Sequence, residues 1–202
     1  MKGLDQSLKN NRRAVDQYCK EFREAYLPKL NQTFLNIVMS RQTQFVGTKT
    51  LAIAFKFLGI SMKFKETRTF IKPSIEQLLF NISLPLFITP AKDLQTFEQD
   101  PVEYVRMQVD HLTEYNVKRQ LSILVEKICS LKYGKRSDGG ASMHLFNYVQ
   151  TIESNMTSSQ GDWKATEALM YAFGNMHEKC AWNGKKEMTQ LVNQILENNI
   201  LP

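Results

Sequence analysis

Apolar residues recur every three or four positions along almost the whole chain, and this spacing constrains the fold more than any other feature. It places the apolar side chains on one face of an α-helix. Successive stripes of this kind begin at Leu51, Ile71, Val117, Leu145, Leu169 and Met188. The sequence therefore predicts an all-α fold.

The run ISLPLFIT (82–89) has the composition of a strand, but Pro85 and the periodic residues before it favour the C-terminal turn of a helix. The predicted helices are 11–39 (bent near Pro28), 43–62, 66–88, 101–112, 115–132, 137–155, 162–181 and 185–199.

These helices can be grouped into four antiparallel pairs. The later pairs begin near residues 66, 115 and 161, a spacing close to the HEAT-repeat period of about 40 to 47 residues. A compact bundle would show similar stripes, but serial pairs of similar length favour a solenoid. We predict a right-handed α-solenoid of about four HEAT-type helix pairs.

The chain has no Gly/Ser-rich or Pro-rich linker, so residues 1–202 are predicted to form one HEAT-repeat segment. Its apolar last residues, ILENNILP, differ from the polar outer face that a terminal repeat needs. We expect the segment to be a fragment of a longer solenoid.

The chain carries 26 Lys and Arg against 20 Asp and Glu, a net charge of +6, with a pI of about 9.2. This charge is compatible with nucleic-acid, anionic-lipid or acidic protein partners. The basic residues are scattered, with loose groups at 63–72 and 132–136, and no aromatic-interleaved basic stripe accompanies them. We interpret them as solvated helix faces, without specific nucleic-acid binding.

Three cysteines, Cys19, Cys129 and Cys180, lie far apart and suggest neither a disulfide framework nor a zinc site. A reducing compartment fits them best. The N-terminus lacks an apolar signal region and no run of about 18 apolar residues occurs. The sequence therefore predicts no membrane insertion.

The stretch FEQDPVEYVR (97–106) concentrates acids, a proline, a tyrosine and an arginine. Asp100 is placed as a helix N-cap, Pro101 as the first helical residue and Glu103 as the N3 partner of a capping box. This local physics predicts the beginning of a helix and not a catalytic centre.

Arg106 lies three residues after Glu103 and four before Asp110, so it can pair with both on one helix surface. Tyr104 fits a packed ring with a solvated hydroxyl. HEKC (177–180) lacks the second histidine of a metalloprotease helix, and YGKRSDGGAS (133–142) does not match a phosphate-binding loop. We predict a non-enzyme without cofactor or metal.

FEQDPVEYVR also resembles a mid-chain segment of the importin-β superfamily of nuclear transport receptors, in the branch of importin seven, importin eight and the CAS exportin. FIKPSIEQLLFNISLPLF, DWKATEALMYAFGNMHEK and QLVNQILENNILP are similar to helices of the same branch, in the same order. YCKEFREAYLPKLNQTFLNIV resembles the upstream helices of CAS. The resemblance runs from about residue 15 to the C-terminus.

This resemblance implies a carrier that binds Ran in its GTP form, chiefly through repeats absent from this segment. It also implies protein cargo on the inner surface and phenylalanine-glycine nucleoporin segments between outer helices. Such a carrier shuttles between cytoplasm and nucleus, and couples its ligands through solenoid curvature.

The chain departs from the family in charge, because such receptors are usually acidic and this one is +6. The predicted loop ITPAKDLQTFEQD (88–100) keeps only three acids, of which Asp93 and Glu98 are the candidate acidic-loop contacts. A solvated loop followed by a cap is the simpler interpretation.

Two other functions remain compatible with the sequence. One is a HEAT scaffold of another complex, of the phosphatase or translation type. The other is a basic helical module that binds nucleic acid, whose affinity would fall steeply with salt.

Overall fold

A computed structural model describes residues 2–109, 116–131, 143–159, 161–181 and 186–199, with side chains except those of 2–13, 107–109, 181 and 199. All regular secondary structure in these ranges is helical, which confirms the all-α class. The α-helices are α1 (Lys2–Ser40), α2 (Thr48–Ser61), α3 (Lys65–Ile71), α4 (Leu84–Phe87), α5 (Ala91–Gln99), α6 (Pro101–Val109), α7 (Val117–Cys129), α8 (Met143–Ser158), α9 (Trp163–Gly174), α10 (His177–Ala181) and α11 (Lys186–Asn199). A 3₁₀ turn (Lys72–Ser74) and a π-helix (Gln77–Ser83) lie between α3 and α4.

One contiguous apolar core runs through the described residues. Val38 of α1, Phe55 of α2, Ile128 of α7, Ile152 of α8 and Ile195 of α11 all belong to it and are fully buried. Helix α1 packs on α2 and α3, α2 on α7, α7 on α8, α8 on α9 and α11, and α4 on α9. The helices thus bury their apolar faces against neighbours in series, as in a helical solenoid.

The first two helices have different bounds from the predicted ones. Helix α1 begins at Lys2 and continues through Pro28 to Ser40, although a proline removes one donor from the helical ladder and its ring presses on the carbonyl four residues earlier. Helix α2 begins at Thr48 and not at 43, because the amides of Arg41–Gln44 close turns onto the end of α1.

The predicted helix 66–88 is helical almost throughout but changes type. The 3₁₀ turn contains Pro73, and the π-helix ends two residues before Pro85. Ser83 in the π-helix donates a 2.5 Å hydrogen bond to the Leu79 carbonyl and lies 3.1 Å from the buried Tyr148 hydroxyl of α8. The altered geometry therefore joins this segment to α8 through a buried polar contact.

The predicted helix 162–181 is broken between α9 and α10, where Asn175 and Met176 form a turn after Gly174. Asp162 begins α9, and its carboxylate accepts hydrogen bonds from the amides of Lys164 and Ala165. Asn116 caps α7 in the same way, through the Arg119 amide at 3.0 Å. The remainder of predicted helix 101–112 and the start of 137–155 lie outside the described residues.

The predicted loop over residues 88–100 was wrong, because Ala91–Gln99 form helix α5. The Pro90 carbonyl accepts from the amides of Asp93 and Leu94, and the Asp93 carboxylate lies in the first turn, where the helix dipole favours it. Helix α5 contains no buried residue, since its apolar positions Ala91, Leu94 and Phe97 are exposed or half-buried. It packs chiefly on α6, and we refer to Ala91–Val109 as the α5–α6 hairpin.

Candidate functional site

Asp100 joins the two helices of the α5–α6 hairpin. Its amide donates to the Thr96 carbonyl at 2.7 Å and so ends α5. Its Oδ1 accepts a 3.0 Å hydrogen bond from the amide of Glu103, and Pro101 is the first residue of α6. A single aspartate therefore serves as C-cap of one helix and N-cap of the next.

Glu103 and Arg106 form an exposed ion pair, with 3.4 Å between Glu103 Oε2 and Arg106 Nη1. The Asp100 amide that a capping box would offer to Glu103 is taken by Thr96. Asp110, the second predicted partner of Arg106, lies outside the described residues. The pair is solvated and contributes a few tenths of a kcal/mol at most.

A partly buried polar cluster lies where the α5–α6 hairpin meets α7 and α9. Thr89 donates from Oγ1 to Glu167 Oε2 at 2.8 Å, and Lys118 Nζ donates to Thr89 Oγ1 at 3.1 Å. Lys118 also lies 5.6 Å from the centroid of the Tyr171 ring. The Thr89 hydroxyl thus connects a cation and an anion from two different helices, and this fixes the chain where it enters α5.

Two of the residues singled out in the sequence, Asp93 and Tyr104, face this cluster. Burial raises the pKa of Tyr104, and the Glu167 carboxylate adds to the increase. Burial lowers the pKa of Lys118, while Glu167 and Asp93 oppose the change by stabilising the ammonium. The carboxylates of Glu167 and Asp93 therefore stabilise the charged form of Lys118 within the fold.

The candidate acidic contacts do not act as one group. Asp93 interacts with Lys118 and Tyr104, whereas Asp100 caps helices and Glu98 is exposed on α5. No group of three or more His, Cys, Asp or Glu side chains in the described part of the chain could hold a metal ion. Through its contacts with Asp93 and Tyr104, the polar cluster connects the hairpin to α7 and α9.

An apolar concave feature lies elsewhere, between α1 and the α2–α3 connection. A cavity of about 620 Å³ opens there to solvent. We refer to it as the α1–α2 groove. Its apolar lining includes Tyr18, Phe22, Leu27, Phe57, Ile60 and Phe64.

One wall of the groove is a ladder of aromatic rings on α1. Tyr18, Phe22 and Tyr26 follow at intervals of four residues, with ring centroids 6.4 and 4.8 Å apart. Their exposed fractions are 67%, 48% and 53%. Large aromatic side chains in a continuous exposed row are typical of a binding surface.

The opposite wall comes from α2 and the turn after it. Phe57 stacks on Phe34 of α1 with 4.4 Å between ring centroids, which closes the groove on one side. Ile60 is 54% exposed along the groove. An apolar concavity with few polar groups is the usual form of a site for apolar side chains.

Sequence reasoning missed this groove, although the spacing of Tyr18, Phe22 and Tyr26 could have indicated one exposed aromatic row. The residues of the opposite wall, from α2 and the turn after it, show no comparable pattern in the sequence. It consists of residues that continue the stripe of α2 or follow its end. Only the packing of α1 on α2 shows that the two walls face each other.

An all-helical series whose helices pack on one another defines the class of helical-repeat proteins, and here it carries an open apolar groove. The chain belongs to the Cse1 family, whose model matches residues 7–202. Cse1 and the importins are nuclear transport receptors, so the family resemblance found in the sequence is confirmed.

Two curated proteins are similar to part of the chain. Human Importin-8 is 25% identical over 100 residues, which are 49% of this chain and 10% of that protein. Mouse Importin-8 is 24% identical over 100 residues, with the same coverage. The chain thus matches about a tenth of the length of these relatives. No solved structure matches it.

No helix in the described part of the chain combines the length and the apolar character that crossing a bilayer requires.

Proposed function

We propose that the protein is a segment of a nucleocytoplasmic transport receptor, a non-catalytic carrier that moves protein cargo through the nuclear pore under the control of Ran. The α1–α2 groove carries this proposal, because it is an open apolar site on a scaffold of the Cse1 family. We place its Ran contacts in other repeats of a longer HEAT solenoid, and its location in both cytoplasm and nucleus.

The groove would contribute by docking phenylalanine side chains of phenylalanine-glycine nucleoporin segments. Its volume of about 620 Å³ exceeds that of a single phenyl ring, and the rings of Phe22 and Phe64 both line it. Aromatic side chains pack well edge-to-face or offset against such walls. Burial of one phenylalanine stabilises a complex by about 1.5 to 3 kcal/mol, so several weak contacts in series would hold a carrier in the pore.

A pull-down with the full-length protein tests the transport function. Ran locked with GTP and Ran bound to GDP are immobilised in parallel, and the captured receptor is measured. We expect selective capture by the GTP form. Equal capture by both forms, or none, would leave a HEAT scaffold whose similarity to the transport receptors is one of architecture.

A second experiment tests the groove itself, with a labelled peptide of phenylalanine-glycine repeats and the 202-residue chain. Phe22→Ser and Ile60→Ser remove exposed apolar side chains from the two walls, and each should weaken binding about tenfold. Val105→Ser on α6 is the matched control, because Val105 is 55% exposed and does not line the groove. Equal losses in all three variants would argue against the groove as the docking site.

A further inference from the structure

The α1–α2 groove has a cationic rim. Arg23 and Lys63 both lie against the Phe64 ring, the guanidinium carbon and the ammonium nitrogen each 4.9 Å from its centroid. Both side chains line the groove, and no carboxylate lines it among the side chains that the structure describes. An apolar surface whose edge carries only positive charge is selective for the charge of its ligand.

The two cations have no carboxylate partner within the described part of the chain. Arg23 donates from Nε to the Cys19 carbonyl at 3.3 Å and otherwise stacks on Phe64. Lys63 contacts the same ring. The acids nearby on α1 have other partners, since Glu24 lies 3.9 Å from Lys20 and Glu21 accepts a hydrogen bond from Gln17.

A third cation reinforces the positive potential at this end of the groove. Arg68 of α3 donates to the carbonyls of Met62 and Lys63, at 3.0 and 2.9 Å. These bonds hold its guanidinium beside the turn that carries Lys63. The loose basic group at residues 63–72, which the sequence analysis interpreted as a solvated helix face, therefore lies partly at the mouth of an apolar site.

From this arrangement we infer that the α1–α2 groove selects aromatic peptide segments that are flanked by aspartate or glutamate. The inference rests on the proposed docking of phenylalanine in the same groove. A phenyl ring enters between Phe22 and Ile60, and flanking carboxylates reach Arg23 and Lys63 at the rim. The cationic rim disfavours a basic segment, because like charges would then face each other.

The expected selectivity is modest, because the rim is solvated. One exposed ion pair changes affinity by up to about fivefold, so two pairs together set an upper limit of about 25-fold. The cations are held on a ring and by backbone carbonyls, so less side-chain freedom is lost when a carboxylate binds. The effect should decrease as salt screens the charges.

Three peptides of equal length with the same central phenylalanine test the inference. Their flanks are aspartate and glutamate, the matching amides, or lysine. Binding to the 202-residue chain is measured by fluorescence anisotropy at two salt concentrations. We expect the acidic peptide to bind about five- to tenfold tighter than the amide peptide, and the lysine peptide to bind weakest.

Substitutions of Arg23 and Lys63 test whether these two side chains cause the preference for acidic peptides. Arg23→Gln combined with Lys63→Gln should remove the difference in affinity between the acidic and the amide peptide, both measured with the same variant. Lys164→Gln is the matched control, since Lys164 also lies near an exposed ring, 5.8 Å from the Trp163 centroid, outside the groove. Arg23→Glu with Lys63→Glu should reverse the preference toward the lysine peptide, and circular dichroism checks that each variant folds.

The outcomes separate this inference from the proposed function. Equal binding of the acidic and amide peptides would overturn the charge selectivity and leave phenylalanine docking intact. No binding of any peptide would overturn both. A dimer of the chain that Phe22→Ser abolishes would also overturn the inference, because the groove would then be occupied by a second copy.

Discussion

Asp100 is a residue whose role is local, because its bonds lie within the α5–α6 hairpin. Its carboxylate satisfies the Glu103 amide at the beginning of α6, while its own amide satisfies the end of α5. An exposed carboxylate in this position stabilises a helix by direct hydrogen bonding and by the helix dipole.

Replacement of Asp100 by alanine should lower the free energy of unfolding by about 1 kcal/mol, through loss of the cap. Thermal unfolding followed by circular dichroism should show a fall in Tm of about 2 to 4 °C. Asp100→Asn is the control, since an amide oxygen accepts the same hydrogen bond and should preserve most of the stability. An alanine variant as stable as the wild type would mean that the cap contributes nothing.

His144 near the beginning of α8 gives a pH dependence. Burial lowers its pKa from 6.5, Lys72 lowers it further and Glu76 opposes the change. The unfolded chain therefore binds the proton more readily than the folded chain. The contribution of neutral His144 to stability is complete above the unfolded pKa of about 6.5. It is lost as the pH falls through the lower pKa of His144 in the folded chain.

Urea unfolding at pH 7.5 and 5.5 measures this contribution. We expect the wild type to lose more stability between the two pH values than a His144→Gln variant, in which the titrating group is absent. An equal loss of unfolding free energy in the two proteins between pH 7.5 and 5.5 would show that the pKa of His144 is the same in the folded and unfolded chains.

At the scale of helices, α2 and α7 approach each other closely at Gly59. A Cβ placed on Gly59 would lie 3.8 Å from Ile123 Cγ2 and 3.9 Å from the backbone of Leu124, which are ordinary van der Waals distances. The glycine is therefore compatible with a methyl group, although it is buried within α2.

Gly59→Ala should stabilise the protein by about 0.5 to 1 kcal/mol, because alanine has the higher helix propensity and fits without displacement. Gly59→Val is the comparison, since its branches would press on Leu124 and cost stability. Equilibrium unfolding in urea measures both. A destabilised alanine variant would mean that α2 and α7 lie closer than described here.

The helices also show where sequence patterns carry information. Helix α2 was predictable because Leu51, Phe55 and Leu58 are buried and spaced at helical intervals. Helix α5 has no buried residue, and its start depends on Pro90 and Asp93. A helix of nine residues with three apolar positions gives a weaker periodic signal than one with a buried face, so α5 was harder to predict than α2.

For the whole molecule, stability should differ between the shared core and the α5–α6 hairpin. The core includes α2, α7 and α8, with fully buried Phe55, Ile128 and Ile152. The hairpin is held by the edge-to-face contact of Phe97 and Tyr104 at 5.2 Å and by the Thr89 cluster. Regions with few buried apolar contacts open at lower free energy.

Native-state hydrogen exchange should therefore show the least protected amides of these elements in α5 and α6, and the most protected in α7 and α8. Thr89→Val should decrease protection in the hairpin further, because Lys118 and Glu167 lose the hydroxyl that joins them. Uniform protection across the chain would contradict a separately anchored hairpin.

The sequence by itself determined the all-α class, the positions of most long helices and the family, because these depend on local spacing and on ordered motifs within the chain. It also placed Asp100 at a helix boundary, since capping involves residues three positions apart. The α1–α2 groove and the Lys118–Thr89–Glu167 cluster were decided only by tertiary structure. Their members lie on separate helices, and apolar or charged side chains have the same local pattern whether a partner helix covers them or leaves them open.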